Sequence, residues 1–216
     1  MTRSYALPAR KARHCSLATT AAIGTKKSFQ KTFFFLIVAM SKRKALWAPV
    51  GVLGALIKEA RLLERAGFIV DVDEANAKSW HIALEPKLLK QHGLGTLIDE
   101  LKLWACTARK PVAIVLEVQF GDRHPFEPPF VCVVRPRFLA RTGHVTVGGS
   151  ICTKLLTTDG WRSDLSCEAL LRSILENMSD GGARVDMSPS LRAVDYSLAE
   201  AVAAFKRVAL FHGWTT

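Results

Sequence analysis

From residue 50 onward, helical spacing of apolar residues opens and closes the pattern, with alternating segments between. Leu53, Leu56, Ile57, Ala60 and Leu63 recur at intervals of three and four, and Gly67 stands where a left-handed C-terminal cap is needed, which predicts a helix over 50–66. Phe68, Val70 and Val72 then alternate with other residues. So do Trp80, Ile82 and Leu84 beyond the polar DEANAKS connection, the signature of an antiparallel hairpin. Leu94, Leu97, Ile98, Leu101, Trp104 and Ala105 mark one face of a second helix, with Cys106 at its end beside that face. Alternation returns over 112–120, where Ile114, Leu116 and Val118 share a side, and a fourth strand over 130–134 follows the proline-rich turn HPFEPPF. An irregular stretch carrying Cys152 comes next. Cys167, Leu170, Leu171, Ile174, Leu175 and Met178 then trace an amphipathic helix. Ser197 and Glu200 fit a capping box ahead of Leu198, Val202, Phe205 and Ala209, and Gly213 is the stop. Helices segregated from an antiparallel sheet define an α+β fold.

Charge changes this picture only at one end. The net charge of +11 suggests a nucleic-acid binder until it is located: residues 1–58 hold eleven Lys or Arg and no acid, leaving 19 basic against 19 acidic residues in the remainder. The folded part is balanced, so no nucleic-acid partner is expected. The first 45 residues are basic, acid-free and rich in Ser, Thr and Ala, the composition of an organelle transit peptide or a disordered basic tail. An alternative start at Met40 stays open beside that reading. The chain thus divides into a tail or targeting segment, 1–45, and a single core domain, 46–216. The most apolar run, TFFFLIVAM, has nine residues against the roughly 20 a spanning helix needs, so no membrane span is expected. Cys15, Cys106, Cys132, Cys152 and Cys167 form no C-x-x-C pair and lack the density of a disulfide scaffold, which points to a reducing compartment.

The chemistry concentrates at 148–161, GGSICTKLLTTDGW. A cysteine is either a small buried hydrophobe or a reactive thiol, and a segment this irregular does not read as core. Cys167 falls on an apolar helix face, Cys132 sits in a strand, and Cys106 lies at a helix edge, so those three read as core or near-core.

The turn HPFEPPF, the strand FVCVV, then GGSIC and a tryptophan nine residues beyond the cysteine, followed by two closing helices, resemble the core of ubiquitin-conjugating enzymes over residues 50–216. The pieces PFEPPFVCVVRP, GGSICTKLLTTDGW, GGARV and YSLAEAV…HGW resemble the Q-type branch, as does an extra helix before the third strand. The resemblance implies a fold with an N-terminal helix, a four-stranded antiparallel sheet, a cysteine-bearing loop and two C-terminal helices. It also implies a transferase in which Cys152 accepts ubiquitin as a thioester from an activating enzyme and passes it to an amine on a protein substrate, usually with a ligase. No metal and no bound cofactor are implied. Cytoplasm or nucleus is the compartment the family suggests, while the basic tail leaves organelle targeting open.

Most of that family carries a His-Pro-Asn triplet whose Asn lies about eight residues before the cysteine; here the place reads Thr142, Gly143, His144. Q-type members also lack the triplet. His144 is therefore the candidate for oxyanion donation or loop ordering, beside the plainer reading of a solvated loop residue. Asp180 is the positional match for an acid that assists the incoming amine, or a solvated turn residue. Phe126 matches a ligase anchor, or a half-buried turn residue. Trp161 matches the tryptophan under the cysteine loop, while Arg162 and Ser163 replace the usual Ser-Pro after it. Lys42, Arg43, Lys44, Lys58 and Arg61 are candidates for an activating enzyme's acidic surface, or a solvated face. Gly148 and Gly149, lacking a β-carbon, are expected to leave room for an extended peptide beside the sulfur. Two other classes remain: a non-catalytic ubiquitin- or ligase-binding module on the same fold, and a cysteine hydrolase, for which His81, His92, His124, His144 and His212 supply no recognisable base motif.

Overall fold

A computed structural model describes residues 50–73 and 76–215. The tail or targeting reading of 1–45 and the activating-enzyme candidates Lys42, Arg43 and Lys44 lie outside the described residues. Helix α1, Val50–Arg65, buries Leu56, Ala60 and Leu63. It stops in a Schellman turn: Gly67 has φ +95°, the Phe68 N–H donates to the Leu63 carbonyl at 3.0 Å, and both side chains are buried. Strands β1, Ile69–Val72, and β2, Ser79–Leu84, form the expected hairpin with Val72 opposite Trp80. Strands β3, Ile114–Gln119, and β4, Phe130–Arg135, complete a four-stranded antiparallel sheet in the order β1-β2-β3-β4.

Between β2 and β3 lie a short helix α2, Pro86–Gln91, and helix α3, Gly95–Ala108. The first is absent from the sequence pattern because six residues show too little periodicity, although Pro86 at its first turn and Gly93 just beyond its end are the usual punctuation. In α3, Leu97, Ile98, Leu101, Trp104 and Ala105 are buried as expected. Cys106 is exposed, which corrects the near-core reading: one residue past Ala105 the helix has turned roughly another 100° away from the buried stripe.

Helix α4, Cys167–Asp180, is capped twice over. The Ser166 hydroxyl accepts from the Ala169 N–H at 3.2 Å, and the carboxylate of Glu59 on α1 accepts the Cys167 N–H at 3.0 Å. Helix α5, Leu198–His212, opens with the full capping box of Ser197 and Glu200 and closes at Gly213, φ +66°. Helices α1, α3 and α4 share a single core with the sheet, which includes Trp80, Leu116, Leu171 and Leu175. This is the α+β layout the pattern predicts, the extra helix before the third strand included. Among the described residues no helix is long and apolar enough to cross a membrane.

Candidate active site

Cys152 ends a short extended segment laid along the free edge of β4. The Val133 N–H donates to the Gly149 carbonyl at 2.8 Å and the Ile151 N–H to the Val131 carbonyl at 3.2 Å. On its other side the segment folds back on 144–146: Val145 bridges Ile151, the Thr146 N–H donates to the Ser150 carbonyl at 2.9 Å, and the Cys152 N–H donates to the His144 carbonyl at 2.8 Å. Ser150 is fully buried with its hydroxyl 2.7 Å from that of Thr146. Ile151, 1 % exposed, is the apolar anchor one residue before the cysteine. Hydrogen bonds on both edges and a buried neighbour thus fix the backbone that carries the sulfur.

Beyond the sulfur the chain turns through a 3₁₀ turn, Lys154–Leu156, capped by Thr153. The buried Thr157 donates its hydroxyl to the Lys154 carbonyl at 2.7 Å and accepts the Gly160 N–H at 3.2 Å. Trp161 then donates its indole N–H to the Pro125 carbonyl at 2.7 Å. One tryptophan therefore ties the cysteine segment to the HPF turn. His124 of that turn is buried between the rings of Phe120 and Trp161, and burial holds its imidazole below the usual histidine range.

The two glycines do not do what the sequence suggested. A β-carbon on Gly148 would sit 2.4 Å from the Glu200 carbonyl oxygen, and one on Gly149, which has φ +92°, would sit 2.6 Å from the Tyr196 ring. Both are buried under α5 and the residue leading to it, so their missing side chains admit the protein's own C-terminal part and leave no open track for a peptide there. Tyr196 is itself locked: its hydroxyl accepts the Phe138 N–H at 3.0 Å, and the Arg137 guanidinium lies 4.4 Å over its ring while pairing with Glu200 at 3.0 Å.

His144 is exposed, with φ +53°, and it touches the cysteine through its backbone carbonyl. That backbone contact engages the Cys152 N–H and ties the 142–144 loop to the cysteine segment. Asp180 is exposed at the end of α4, and the next residue, Gly181, accepts the Gly143 N–H at 2.8 Å, which brings the end of α4 against the 142–144 loop. Phe126 is 81 % exposed, which sets aside its reading as a half-buried turn residue. Arg162 is held by Asp164 in a two-bond pair at 3.0 and 2.7 Å on the surface. The roles of Thr157, Gly160 and Tyr196 were missed by sequence reasoning; the spacing of Thr157, Gly160 and Trp161 as a capped turn was the one signal available. Among the described residues no group of three or more His, Cys, Asp or Glu side chains is placed to hold a metal ion.

The thiols differ sharply. Burial pushes Cys132 up to about 12, and burial together with the Glu59 carboxylate pushes Cys167 still higher. Cys152 is half-buried, and burial raises its thiol above the ordinary cysteine value, with no cation among the described residues to oppose it. Its alkylation by iodoacetamide is therefore expected to keep rising about tenfold per pH unit from neutrality to about pH 9, while Cys132 and Cys167 stay silent in the folded protein. Peptide-resolved mass spectrometry checks this, and a plateau below about pH 8 at Cys152 would reveal a cation acting on the sulfur.

No family model matches the chain. It is 37 % identical over 106 residues to ubiquitin-conjugating enzyme E2 Q-like protein 1 of mouse and of human, a match covering 48 % of this chain and 65 % of that protein. Over 172 residues it is 33 % identical to ubiquitin-conjugating enzyme E2 Q1 of mouse and human, covering 74 % of this chain and 38 % of that one. A Q-like ubiquitin-conjugating enzyme protein of Drosophila melanogaster is 31 % identical over 172 residues, with 74 % of this chain and 52 % of that one covered. The chain thus spans less than two thirds of the length of these relatives. Among solved structures, a ubiquitin-conjugating enzyme of Plasmodium falciparum aligns at 20 % identity with a TM-score of 0.45, over 63 % of this chain and 90 % of that one. The sequence matches support the ubiquitin-conjugating enzyme family. Within the family its likeness is to the Q-type branch.

Proposed function

We propose that residues 46–216 form a ubiquitin-conjugating core that takes ubiquitin from an activating enzyme as a thioester on Cys152 and transfers it to a substrate amine, usually with a ligase. Residues 1–45 are then a basic tail or targeting segment outside that core. The observation that carries the reading is the state of the sulfur: Cys152 is half-buried at the end of a segment hydrogen-bonded on both edges, whereas Cys132 and Cys167 are sealed in the interior. A half-buried thiol on a backbone held this firmly supports transfer chemistry over a docking role alone.

In the first step the Cys152 thiolate attacks the carbonyl carbon of ubiquitin's C-terminal glycine. The activating enzyme's thiolate leaves, so one thioester replaces another at little cost in energy. ATP is consumed upstream, and neither metal nor bound cofactor is needed. In the second step a neutral amine attacks the same carbon and Cys152 departs as thiolate. The amine's proton goes to water or to an acid residue near the site, for which Asp180 beside the 142–144 loop is the candidate. Phe126, projecting from the HPF turn, is the candidate ligase anchor, and Lys58 and Arg61 on α1 are candidates for contact with the activating enzyme. Cytoplasm or nucleus is the compartment that goes with this reading unless the tail directs the chain elsewhere.

The test mixes purified protein with activating enzyme, ubiquitin and ATP on a non-reducing gel. A shift of one ubiquitin that reductant removes, and that Cys152→Ala abolishes, is expected. No shift under conditions that charge another conjugating enzyme would leave the docking module as the better reading.

A further inference from the structure

The loop beside the cysteine is strained and needs an outside support. Arg141, Gly143 and His144 all have positive φ, at 64°, 61° and 53°, and only one of them is glycine. Side chains rarely adopt such backbone, and it persists where surrounding contacts over-determine it. Part of that support comes from α3. The Glu100 carboxylate accepts the N–H of Val185 at 2.9 Å and pairs with the Arg184 guanidinium. Val185 is 3 % exposed, so removing Glu100 takes the side-chain acceptor from the N–H of a buried residue. The segment so held lies along 137–139, with Val185 bridging Phe138 and the Leu139 N–H donating to the Arg184 carbonyl at 2.9 Å. It also grips the strained loop. The Arg184 N–H donates to the Thr142 hydroxyl at 3.3 Å, the Gly143 N–H donates to the Gly181 carbonyl at 2.8 Å, and a β-carbon on Gly143 would come within 2.6 Å of that of Ala183. The next residue, His144, receives the Cys152 N–H.

We infer that Glu100 is a positioning residue for Cys152, acting from the helix inserted between β2 and β3 through the 181–185 segment and the 142–144 loop. Its working part is the acceptor oxygen on Val185. The Arg184 side chain is 58 % exposed, and an ion pair so open to water holds little. One turn along the same helix, Trp104 donates its indole N–H to the Arg192 carbonyl at 2.7 Å, so α3 holds the chain on both sides of the 185–192 stretch. The inference rests on the proposed transfer chemistry for one of its two readouts only.

The experiment compares Glu100→Ala and Glu100→Gln in the full chain, with Gly67→Ala, strained at φ +95° beside β1 on the sheet edge opposite β4, as a variant destabilised at a distance from the loop. The first readout is Cys152 alkylation near neutral pH, resolved by peptide from the exposed Cys106; the second is the rate of ubiquitin charging. Glu100→Ala is expected to alkylate Cys152 at least about threefold faster and to charge about tenfold more slowly, as a loosened loop uncovers the sulfur and misplaces it. Glu100→Gln keeps an acceptor for Val185 and is expected to match wild type on both. Should Glu100→Ala fail to fold, Glu100→Asp, charged but one methylene short, is read in its place. Effects no larger than those of Gly67→Ala, or a Gln variant as impaired as the Ala variant, overturn the assignment. If wild type does not charge while alkylation still responds to Glu100, the transfer reading fails and the positioning role stands.

Discussion

The Cys152→Ser variant, incubated with activating enzyme, ubiquitin and ATP, is expected to accumulate a one-ubiquitin adduct that survives reductant and does not discharge onto free lysine. A hydroxyl in place of the thiol forms an oxygen ester, less activated toward amines and immune to thiol exchange. Cys152 lies at a fixed place, with its N–H on the His144 carbonyl at 2.8 Å, and exchange of one atom leaves that backbone untouched. Wild type should load quickly and empty onto lysine; the serine variant should load slowly and stay full. Time courses on reducing and non-reducing gels read the difference. A serine variant that never loads while wild type does would mean that the site cannot activate a hydroxyl, and a serine adduct that discharges as fast as wild type would assign transfer to another residue.

Gly149→Ala is expected to be the most damaging small substitution in the segment. Its β-carbon would lie 2.6 Å from the Tyr196 ring, which cannot retreat because its hydroxyl holds the Phe138 N–H at 3.0 Å and the Arg137 guanidinium lies 4.4 Å over the ring. The left-handed backbone at φ +92° adds its own penalty. Overpacking and backbone strain together cost roughly 2–5 kcal/mol. Gly182→Ala is the control: φ is +57° there, but nothing lies within 4 Å of the added carbon, so only about 1–2 kcal/mol is expected. Urea unfolding of both variants measures the gap. Equal losses would show that Tyr196 yields and that strain alone sets the cost. Charging by Gly149→Ala should fall further than its stability loss explains, since the displaced residue accepts the Val133 N–H that pins the segment to β4.

What could be read from the sequence was local. Leu56, Ala60 and Leu63 mark α1, and the Leu170 to Met178 stripe marks α4, because a helix repeats its buried face every three or four residues. Ser197 and Glu200 announce α5 because both halves of a capping box lie within one turn. What could not be read depends on residues far apart in the chain. Gly148 and Gly149 look like bare backbone until Glu200 and Tyr196 arrive against them from much later in the chain. Glu100 looks like any surface acid on a helix until Val185 presents a buried N–H to it. Cys106 shows the finer limit: a position one residue off a buried stripe is decided by about 100° of rotation, an angle that apolar spacing alone does not resolve at a helix end.

The central claim is that ubiquitin is carried on the Cys152 sulfur, and the most direct measurement locates the adduct. Wild-type protein charged briefly at low pH, digested without reductant and analysed by tandem mass spectrometry should carry the ubiquitin C-terminal remnant on the peptide containing Cys152, with the peptide containing the exposed Cys106 unmodified. A remnant on Cys106 or on a lysine, with Cys152 unmodified, would contradict the account.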